Sequence, residues 1–399
     1  MNKYSNIFNQ ILQLLPRYEF ERLVKERAVE KHAKGFHCWD QLVSMIFLQL
    51  SKSCSLTEIC QGLSTCAGKL AHLGLSKAPG KSTLAYANQH RSWEIYQDLF
   101  YLMLDRCRKE MLCGKKFKFK NKLLSFDGTV IDLCQSMFDW AKFRKTKGAV
   151  KLHMVLDHDG YLPTFCNITT GKVHEVKVLK SLCFQPGTIV VFDRGCIDYG
   201  LFSNWTEDGV NFITREKDGM NYGVVERRKN LEGGNVLRDE LIILTGFYAS
   251  RKCEHTLRRV VIWNEEKKEE VVFITNNMKL APLTIAAVYK DRWQIEIFFK
   301  TIKQHLKIKT FVGTSPNALK IQIWTALISV LLLKYLKYRS KSGISMSNMV
   351  ALLRLNLLIY KNLFDWLDDP LGALQVESED YQQLDLFGQH NRRPENENR

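Results

Sequence analysis

One long stretch without proline or glycine, from Leu283 to Ile308, constrains the fold of this chain more than any other feature. It predicts a single helix that begins at Pro282, a residue tolerated in the first turn. At 100° per residue, the polar residues Tyr289, Arg292, Glu296 and Lys303 share an arc of roughly 60°. An apolar stripe lies beside this row and consists of Val288, Ile295, Phe298, Ile302 and Leu306. The helix should therefore pack into a core and present the polar row along one edge.

Two apolar runs upstream, Leu123 to Asp127 and Thr188 to Asp193, each end in an aspartate. Short apolar runs rich in β-formers predict buried strands. An aspartate that closes such a strand lies at the carboxyl edge of the sheet, where α/β proteins commonly bind ligands. Taken alone, the helix would equally fit a solvated amphipathic helix with an Arg292–Glu296 ion pair. The aspartates favour a functional site.

Asp127, Asp193 and Glu296 together offer hard oxygen donors, which Mg²⁺ and Mn²⁺ prefer. Two such ions can stabilise the attacking and leaving oxygens of an in-line phosphoryl displacement. We therefore expect these three carboxylates to be the catalytic groups and the ligands of two Mg²⁺ (or Mn²⁺) ions. Neighbouring cationic and aromatic side chains would hold the polyanionic substrate.

The order of these carboxylates, with the spacing Tyr289-x2-Arg292-x3-Glu296-x6-Lys303, resembles the DDE transposases of bacterial insertion sequences. More narrowly, it resembles the insertion-sequence-four family, which carries this Tyr-Arg-Glu-Lys signature, and the triplet Asp193-Arg-Gly matches the second-aspartate motif of that family. The resemblance spans roughly residues 123–311. It implies a ribonuclease-H-like core that cleaves DNA at the terminal inverted repeats and joins it to target DNA, as a homodimer on DNA. The residues expected to contact DNA in this core are Tyr289, Arg292, Lys303, Lys300 and Arg194.

The charge of the chain favours a polyanionic partner such as double-stranded DNA. Its 399 residues carry a net charge of +16, with a pI near 9.3. Residues 1–122 hold 20 Lys and Arg against 10 Asp and Glu, whereas residues 365–399 hold 3 against 9. A basic front and an acidic tail fit DNA contact at one end and a solvated segment at the other.

The same sequence favours a cytoplasmic, nucleoid-associated protein without a membrane segment or a small-molecule cofactor. The start lacks a long apolar region, and the longest uncharged apolar run, Ile321 to Leu333, is too short to span a bilayer. That run predicts a buried helix. The eleven cysteines include no Cys-x2-Cys pair, which indicates reduced thiols rather than a disulfide framework or a zinc ribbon.

The predicted fold is α/β: a ribonuclease-H-like mixed sheet with helices, interrupted by a β-rich insertion and preceded by a helical DNA-binding domain. Residues 1–112 form the helical domain, 113–200 the first part of the core and 201–280 the insertion. Residues 281–370 form the second part of the core, and 371–399 a polar acidic tail without a fixed fold. In the helical domain a helix-turn-helix would present Lys81, Asn88, Gln89 and Arg91 to DNA. The alternative is a helical bundle whose exposed face is basic.

Three other functions compete with the transposase. The segment Ser125-Phe-Asp-Gly-Thr resembles the first motif of haloacid-dehalogenase-like phosphatases, but a serine stands where that family has its nucleophilic aspartate. A DNA-binding protein that has lost its chemistry would not need all three carboxylates. A ribonuclease-H-like nuclease would stop after hydrolysis. The sequence also leaves open whether excision passes through a hairpin, because the tryptophan that some relatives carry before Val271–Thr275 is absent, with Trp263 and Trp293 as possible substitutes.

Overall fold

The structure is a computed structural model that describes residues 4–31, 33–66, 69–111, 114, 116–134, 138–144, 147–228, 235–306 and 311–372. Two predictions fall wholly or partly outside these residues. They are the end of the signature helix at Ile308 and the acidic tail, of which only residues 371 and 372 are described.

The N-terminal part is helical, as predicted. Within residues 4–111 the α-helices are α1 Ile7–Leu12, α2 Arg17–Glu26, α3 Cys38–Ser51, α4 Leu56–Ser64, α5 Lys81–His90 and α6 Glu94–Glu110. Ser55 caps the N-terminus of α4: the Glu58 amide donates to Ser55 Oγ at 3.1 Å, and the Glu58 carboxylate accepts from the preceding Cys54 amide at 2.7 Å. The α3 helix is buried on almost every face, so it forms the centre of this part.

The described strands form one mixed sheet. They are β1 Leu123–Leu133, β2 Lys142–Arg144, β3 Lys147–Asp157, β4 Leu162–Thr170, β5 Ile189–Phe192, β6 Asn211–Arg215, β7 Tyr222–Arg227, β8 Val236–Leu244, β9 Leu257–Asn264 and β10 Glu269–Thr275. Strand β3 lies antiparallel between β1 and β4, while β5 runs parallel to β1 and to β6. The order β4-β3-β1-β5-β6 is therefore three antiparallel strands followed by two parallel ones, as a ribonuclease-H-like core requires.

The predicted β-rich insertion continues this sheet instead of forming a separate one. Strand β6 pairs with β10, and β9, β8 and β7 follow outward. The apolar runs 211–214, 240–244, 257–263 and 270–275 predict strands and correspond to β6, β8, β9 and β10. Strand β7 is not predicted, because its residues are mostly exposed and lack an apolar alternation.

The remaining helices cover the sheet and join it to the N-terminal part. They are α7 Glu175–Lys180, α8 Tyr199–Glu207, α9 Phe247–Lys252, α10 Pro282–Asp291, α11 Trp293–His305, α12 Pro316–Arg339, α13 Met346–Asn356 and α14 Leu363–Asp368. The α12 helix is long and apolar enough to cross a membrane, yet 83 % of its most apolar stretch is buried inside the protein. It packs against α3, α5 and α6, which confirms the buried helix predicted over Ile321–Leu333. One hydrophobic core thus runs from Ile7 in α1 to Leu367 in α14.

Candidate active site

Asp127 and Asp193 meet at the edge of the sheet because β5 ends there. In the parallel pair of β1 and β5, Phe126 is level with Phe192. The residues that follow these two in sequence are Asp127 and Asp193. The prediction that Asp127 closes its strand is wrong, since β1 continues to Leu133 through its pairing with the long β3. Asp127 nevertheless lies where the parallel part of the sheet stops, and this satisfies the reason for selecting it.

The predicted signature helix is interrupted, and α10 and α11 meet at Arg292. The Arg292 amide donates to the Tyr289 carbonyl and the Ile295 amide donates to the Arg292 carbonyl, both at 3.1 Å. These i to i−3 bonds tighten the chain for one turn, but Arg292 keeps helical dihedrals (φ −51°, ψ −32°). The predicted row of polar residues therefore still faces one side. Neither proline nor glycine causes the break, and long-range contacts of Asp291 and Arg292 flank it.

Arg292 joins two of the three candidate carboxylates. Its Nη2 lies 2.6 Å from Glu296 Oε1, and its Nη1 lies 3.7 Å from Asp127 Oδ2. Its side chain is only 10 % exposed, and its guanidinium carbon lies 5.6 Å from the centre of the Tyr289 ring. In this geometry Arg292 is an internal bridge, and contact with a DNA phosphate, as predicted from the sequence, would require its side chain to turn outward.

The three carboxylates influence each other electrostatically. Burial raises the pKa of Asp127 to about 6; its bond from the Gly128 amide and the Arg292 charge oppose this rise, while Glu296 and Asp193 add to it. Glu296 is in the first turn of α11 with 31 % of its side chain exposed. Asp193 caps a short turn by accepting from the Gly195 amide at 3.2 Å. Asp127 is therefore a half-buried acid that is still largely ionised at neutral pH, and the neighbouring Arg292 charge favours that ionised form.

Divalent ions fit the chemistry of this donor set, although the side chains are not gathered around a metal position. Among the described residues no three His, Cys, Asp or Glu side chains lie close enough to hold a metal ion. Asp127 and Asp193 nonetheless follow paired residues at one sheet edge, and the Arg292 guanidinium stands between Asp127 and Glu296. The Arg292 Nε is buried and finds no hydrogen-bond partner within the described part of the chain. The donor set therefore has the chemistry that a hard cation prefers, but a bound ion would require the three carboxylates to come closer together.

The predicted lysines border an open cleft beside the carboxylates. Lys300 and Lys303 line it together with Asp127, Thr129 and Glu296, and the cleft has a volume of about 410 Å³. Lys303 is half-buried and donates to the Val130 carbonyl at 2.8 Å, while Lys300 is exposed. Cationic groups therefore border the acidic centre on its solvent side.

Arg194 and Arg215 lie near the same edge of the sheet. Arg194 is exposed and pairs with Asp218 at 3.3 Å. Arg215 is not among the residues predicted from the sequence; it ends β6 and acts electrostatically on Tyr289. Val191 is level with Ile213, so Arg215 is level with Asp193. Its position at the end of an apolar run would have identified it, because the two aspartates were selected in the same way.

Two of the four residues predicted to contact DNA from the N-terminal part have internal partners. Asn88 is 2 % exposed, and its amide oxygen accepts from Gln41 Nε2 at 2.8 Å. The Arg91 guanidinium donates to the Phe36 carbonyl and contacts the Gln41 amide oxygen at 3.4 Å. The Asn88 side chain is therefore used within the helical core, which contradicts its predicted DNA contact, whereas Arg91 is half-buried and its DNA contact stays a prediction. Lys81 and Gln89 are exposed, as predicted.

Comparison with known proteins assigns the family. Residues 118–332 match the model of the transposase DDE domain, and residues 3–76 match a family described as a domain of unknown function (DUF4372). The chain is 31 % identical over 260 residues to the putative transposase y4zB of Sinorhizobium fredii, covering 64 % of this chain and 71 % of that one. It is 26 % identical over 270 residues to the probable transposase for insertion sequence element IS5377 of Geobacillus stearothermophilus, covering 67 % and 70 %.

A solved structure of piggyBac transposase, in a synaptic complex with hairpin DNA, aligns with 93 % of this chain and 81 % of its own, at a TM-score of 0.40 and 9 % identity. The match of the DDE domain model to more than half of the chain, supported by the curated relatives, settles the assignment. The chain therefore belongs to the DDE transposases of insertion sequences, enzymes that cleave DNA and transfer its strands.

Proposed function

We propose that this transposase binds the terminal inverted repeats of its own element and moves it by cut-and-paste transposition, with Asp127, Asp193 and Glu296 as the ligands of two Mg²⁺ or Mn²⁺ ions. The observation that carries the proposal is the meeting of Asp127 and Asp193 at the end of β5, with Glu296 linked to Asp127 through Arg292. The Tyr-Arg-Glu-Lys signature supports membership of the insertion-sequence-four branch.

In this mechanism different residues bind the ions, hold the carboxylates and contact the DNA strand. When bound, the ions lower the pKa of the attacking water and stabilise the attacking and leaving oxygens. Arg292 holds the Asp127 and Glu296 carboxylates against their mutual repulsion before DNA arrives. Lys300, Lys303 and Arg215 lower the electrostatic cost of bringing a phosphate strand to three acids. Arg194 and Tyr289 contact the strand beside the cut.

The substrate and assembly follow from the same proposal. The exposed Lys81 and Gln89 of α5 contact the inverted repeat, and a homodimer on DNA joins the two ends in one event. The protein works in the bacterial cytoplasm on nucleoid DNA, without a small-molecule cofactor.

Cleavage of a labelled transposon end tests the proposal. The unsubstituted chain with Mg²⁺ should nick the end and join its 3′-hydroxyl to a target plasmid, and chelation of the metal should abolish both steps. Asp193→Asn and Glu296→Gln should reduce cleavage to background while end binding in a gel-shift assay stays within about twofold, because the ligand set needs all three acids.

Glu266→Gln is the matched control, because the Glu266 side chain is 82 % exposed and its carboxylate pairs only with Lys290 among the contacts described. It should cleave at the unsubstituted rate. Hydrolysis without joining would indicate a nuclease, and wild-type cleavage by Asp193→Asn would overturn the proposed site.

A further inference from the structure

Ser125, His158 and Asp291 form a buried hydrogen-bonded network. We infer that this network is a positioning device: it fixes the break between α10 and α11 against β1 and so places Arg292 and Glu296 beside Asp127. This inference rests on the proposed function of those carboxylates. None of the three residues belongs to the Tyr-Arg-Glu-Lys signature or to the candidate ligand set.

The three side chains of this network are joined by two short, consecutive hydrogen bonds. Ser125 Oγ lies 2.6 Å from His158 Nε2, and His158 Nδ1 lies 2.5 Å from Asp291 Oδ2. One tautomer satisfies both contacts: the serine hydroxyl donates to Nε2, and the Nδ1–H donates to the carboxylate. The Tyr161 hydroxyl also donates to Asp291 Oδ2 at 3.2 Å, and Lys116 forms an ion pair with the same carboxylate.

A hydrolytic triad would show the same distances, but burial excludes that activity. Ser125 is 0 % exposed, His158 4 % and Asp291 3 %. A nucleophile must reach a substrate carbonyl or phosphoryl group. The Ser125 hydroxyl lies inside the sheet–helix interface, so its role has to be structural or positional.

The network lies in the middle of a regular series of contacts between β1 and the helices α10 and α11. Leu123, Ser125 and Asp127 alternate with their neighbours along β1 and therefore share one face. Leu123 packs in the apolar cluster that contains Ile285 and Val288 of α10. Ser125 connects through His158 to Asp291, the last residue of α10, and Asp127 faces Arg292. Successive residues on this face of β1 thus contact successive positions along the helices.

A polar link at this point gives a directional constraint that an apolar contact would not. Burial opposes the ionised form of Asp291, yet hydrogen bonds from His158 and Lys116 hold the pKa of this carboxyl below its usual value. Buried ionic groups cost desolvation free energy, and a well-packed apolar contact is often as stable. Fully bonded polar groups fix one arrangement of the elements they join. Because Asp291 immediately precedes the break, fixing its carboxylate fixes the direction in which Arg292 and α11 leave.

The test compares two network variants, Ser125→Ala and Asp291→Asn, with Ile242→Ala. Ile242 is fully buried on β8 and lies outside the network. Four quantities are measured: the thermal unfolding midpoint, end binding, the cleavage rate at saturating Mg²⁺, and the Mg²⁺ concentration for half-maximal cleavage. Both network variants should bind ends within about twofold of the unsubstituted protein but cleave at least about tenfold more slowly, since small displacements of reacting groups cost 10- to 100-fold in rate. Their half-maximal Mg²⁺ concentration should rise several-fold.

Ile242→Ala should lower the unfolding midpoint by a similar or larger amount yet retain the unsubstituted rate and Mg²⁺ dependence at temperatures where it is folded. If the network variants also retain both values there, the positioning role is overturned even though the proposed function stands. If the unsubstituted protein itself fails to cleave with Mg²⁺, the proposed function fails and this inference fails with it.

Discussion

At the scale of single residues, Arg292 shows how acidic side chains can lie near each other in the protein without DNA: a cation between them offsets their repulsion. Asp127 and Glu296 repel each other, and burial already raises the pKa of Asp127. The guanidinium between them offsets part of that repulsion through a 2.6 Å bond to Glu296 and a 3.7 Å approach to Asp127. The sequence predicts the Arg292–Glu296 pair from its i,i+4 spacing. It does not predict the third partner, because Asp127 lies far away along the chain.

His153 provides a pH-dependent prediction that is independent of the carboxylates. It is fully buried on β3, where burial lowers the pKa of its imidazole to about 4. In the unfolded chain the usual value is near 6.5, so the unfolded state takes up a proton first as the pH falls. His153 should therefore cost no stability above pH 6.5 and should reduce the free energy of unfolding by up to roughly 3 kcal/mol as the pH falls to 4.

Chemical unfolding at pH 7 and at pH 4.5 measures this effect. Between these two values, His153→Gln should lose less of its free energy of unfolding than the unsubstituted protein does, because the titrating group has been removed. His72→Gln, at an exposed position, should follow the unsubstituted protein. If His153→Gln loses as much free energy of unfolding as the unsubstituted protein, the pKa of this imidazole does not differ between the folded and unfolded states.

At the scale of elements, periodicity and strand-end logic predict most of the catalytic part. The apolar stripe of the signature helix is buried as expected, with Ile295 and Ile302 fully buried and Phe298 4 % exposed. What periodicity cannot supply is the partner of each element. Nothing near Arg292 predicts the helix break, and β7 is recognisable only from its pairing with β8. These features arise from contacts between residues that are distant in sequence.

The α5 helix shows the same limit and gives a second prediction. A polar residue on a helix near several basic ones suggests a DNA contact, but the face that carries Asn88 is turned toward Gln41 of α3. Gln89→Ala and Lys81→Ala should weaken binding to transposon ends, and loss of the lysine should also reduce the salt dependence by about one counterion. Asn88→Ala should instead lower the free energy of unfolding by about 1–3 kcal/mol, because Gln41 would keep a buried, unpaired amide.

Gel-shift titrations at several salt concentrations separate these outcomes from the unfolding measurement. A normal salt slope in Lys81→Ala would remove α5 from the DNA-contacting surface. Weak end binding by a fully stable Asn88→Ala would restore the residue to that surface and would mean that the helix turns on binding.

At the scale of the whole molecule, the predicted boundary near residue 112 does not separate two cores. Residues of α3 and α6 pack against α12, which comes after the catalytic helices in the chain. Trp324 in α12 lies within 6.4 Å of Trp93 and 5.4 Å of Phe100, measured between ring centres. The spacing of apolar residues predicts a helical N-terminal part and an α/β remainder, and both are observed. It does not predict that the buried helix at 321–333 fills the interior of the N-terminal part, because an apolar run does not specify its partner.

Trp324→Ala tests whether the shared core makes the protein unfold as one unit. The side chain is 1 % exposed, so its removal should lower the free energy of unfolding by about 3–5 kcal/mol. Trp293→Ala is the matched control, because that indole is 58 % exposed and its loss should change stability by less than about 0.5 kcal/mol. Far-ultraviolet circular dichroism follows the helices during urea unfolding, and hydrogen exchange follows β1, β3 and β4. In Trp324→Ala both signals should shift to the same lower midpoint, because the helices and these three strands contribute residues to one continuous core. Loss of the helical signal at low urea, with the sheet still protected, would instead show that residues 1–112 fold as an independent domain.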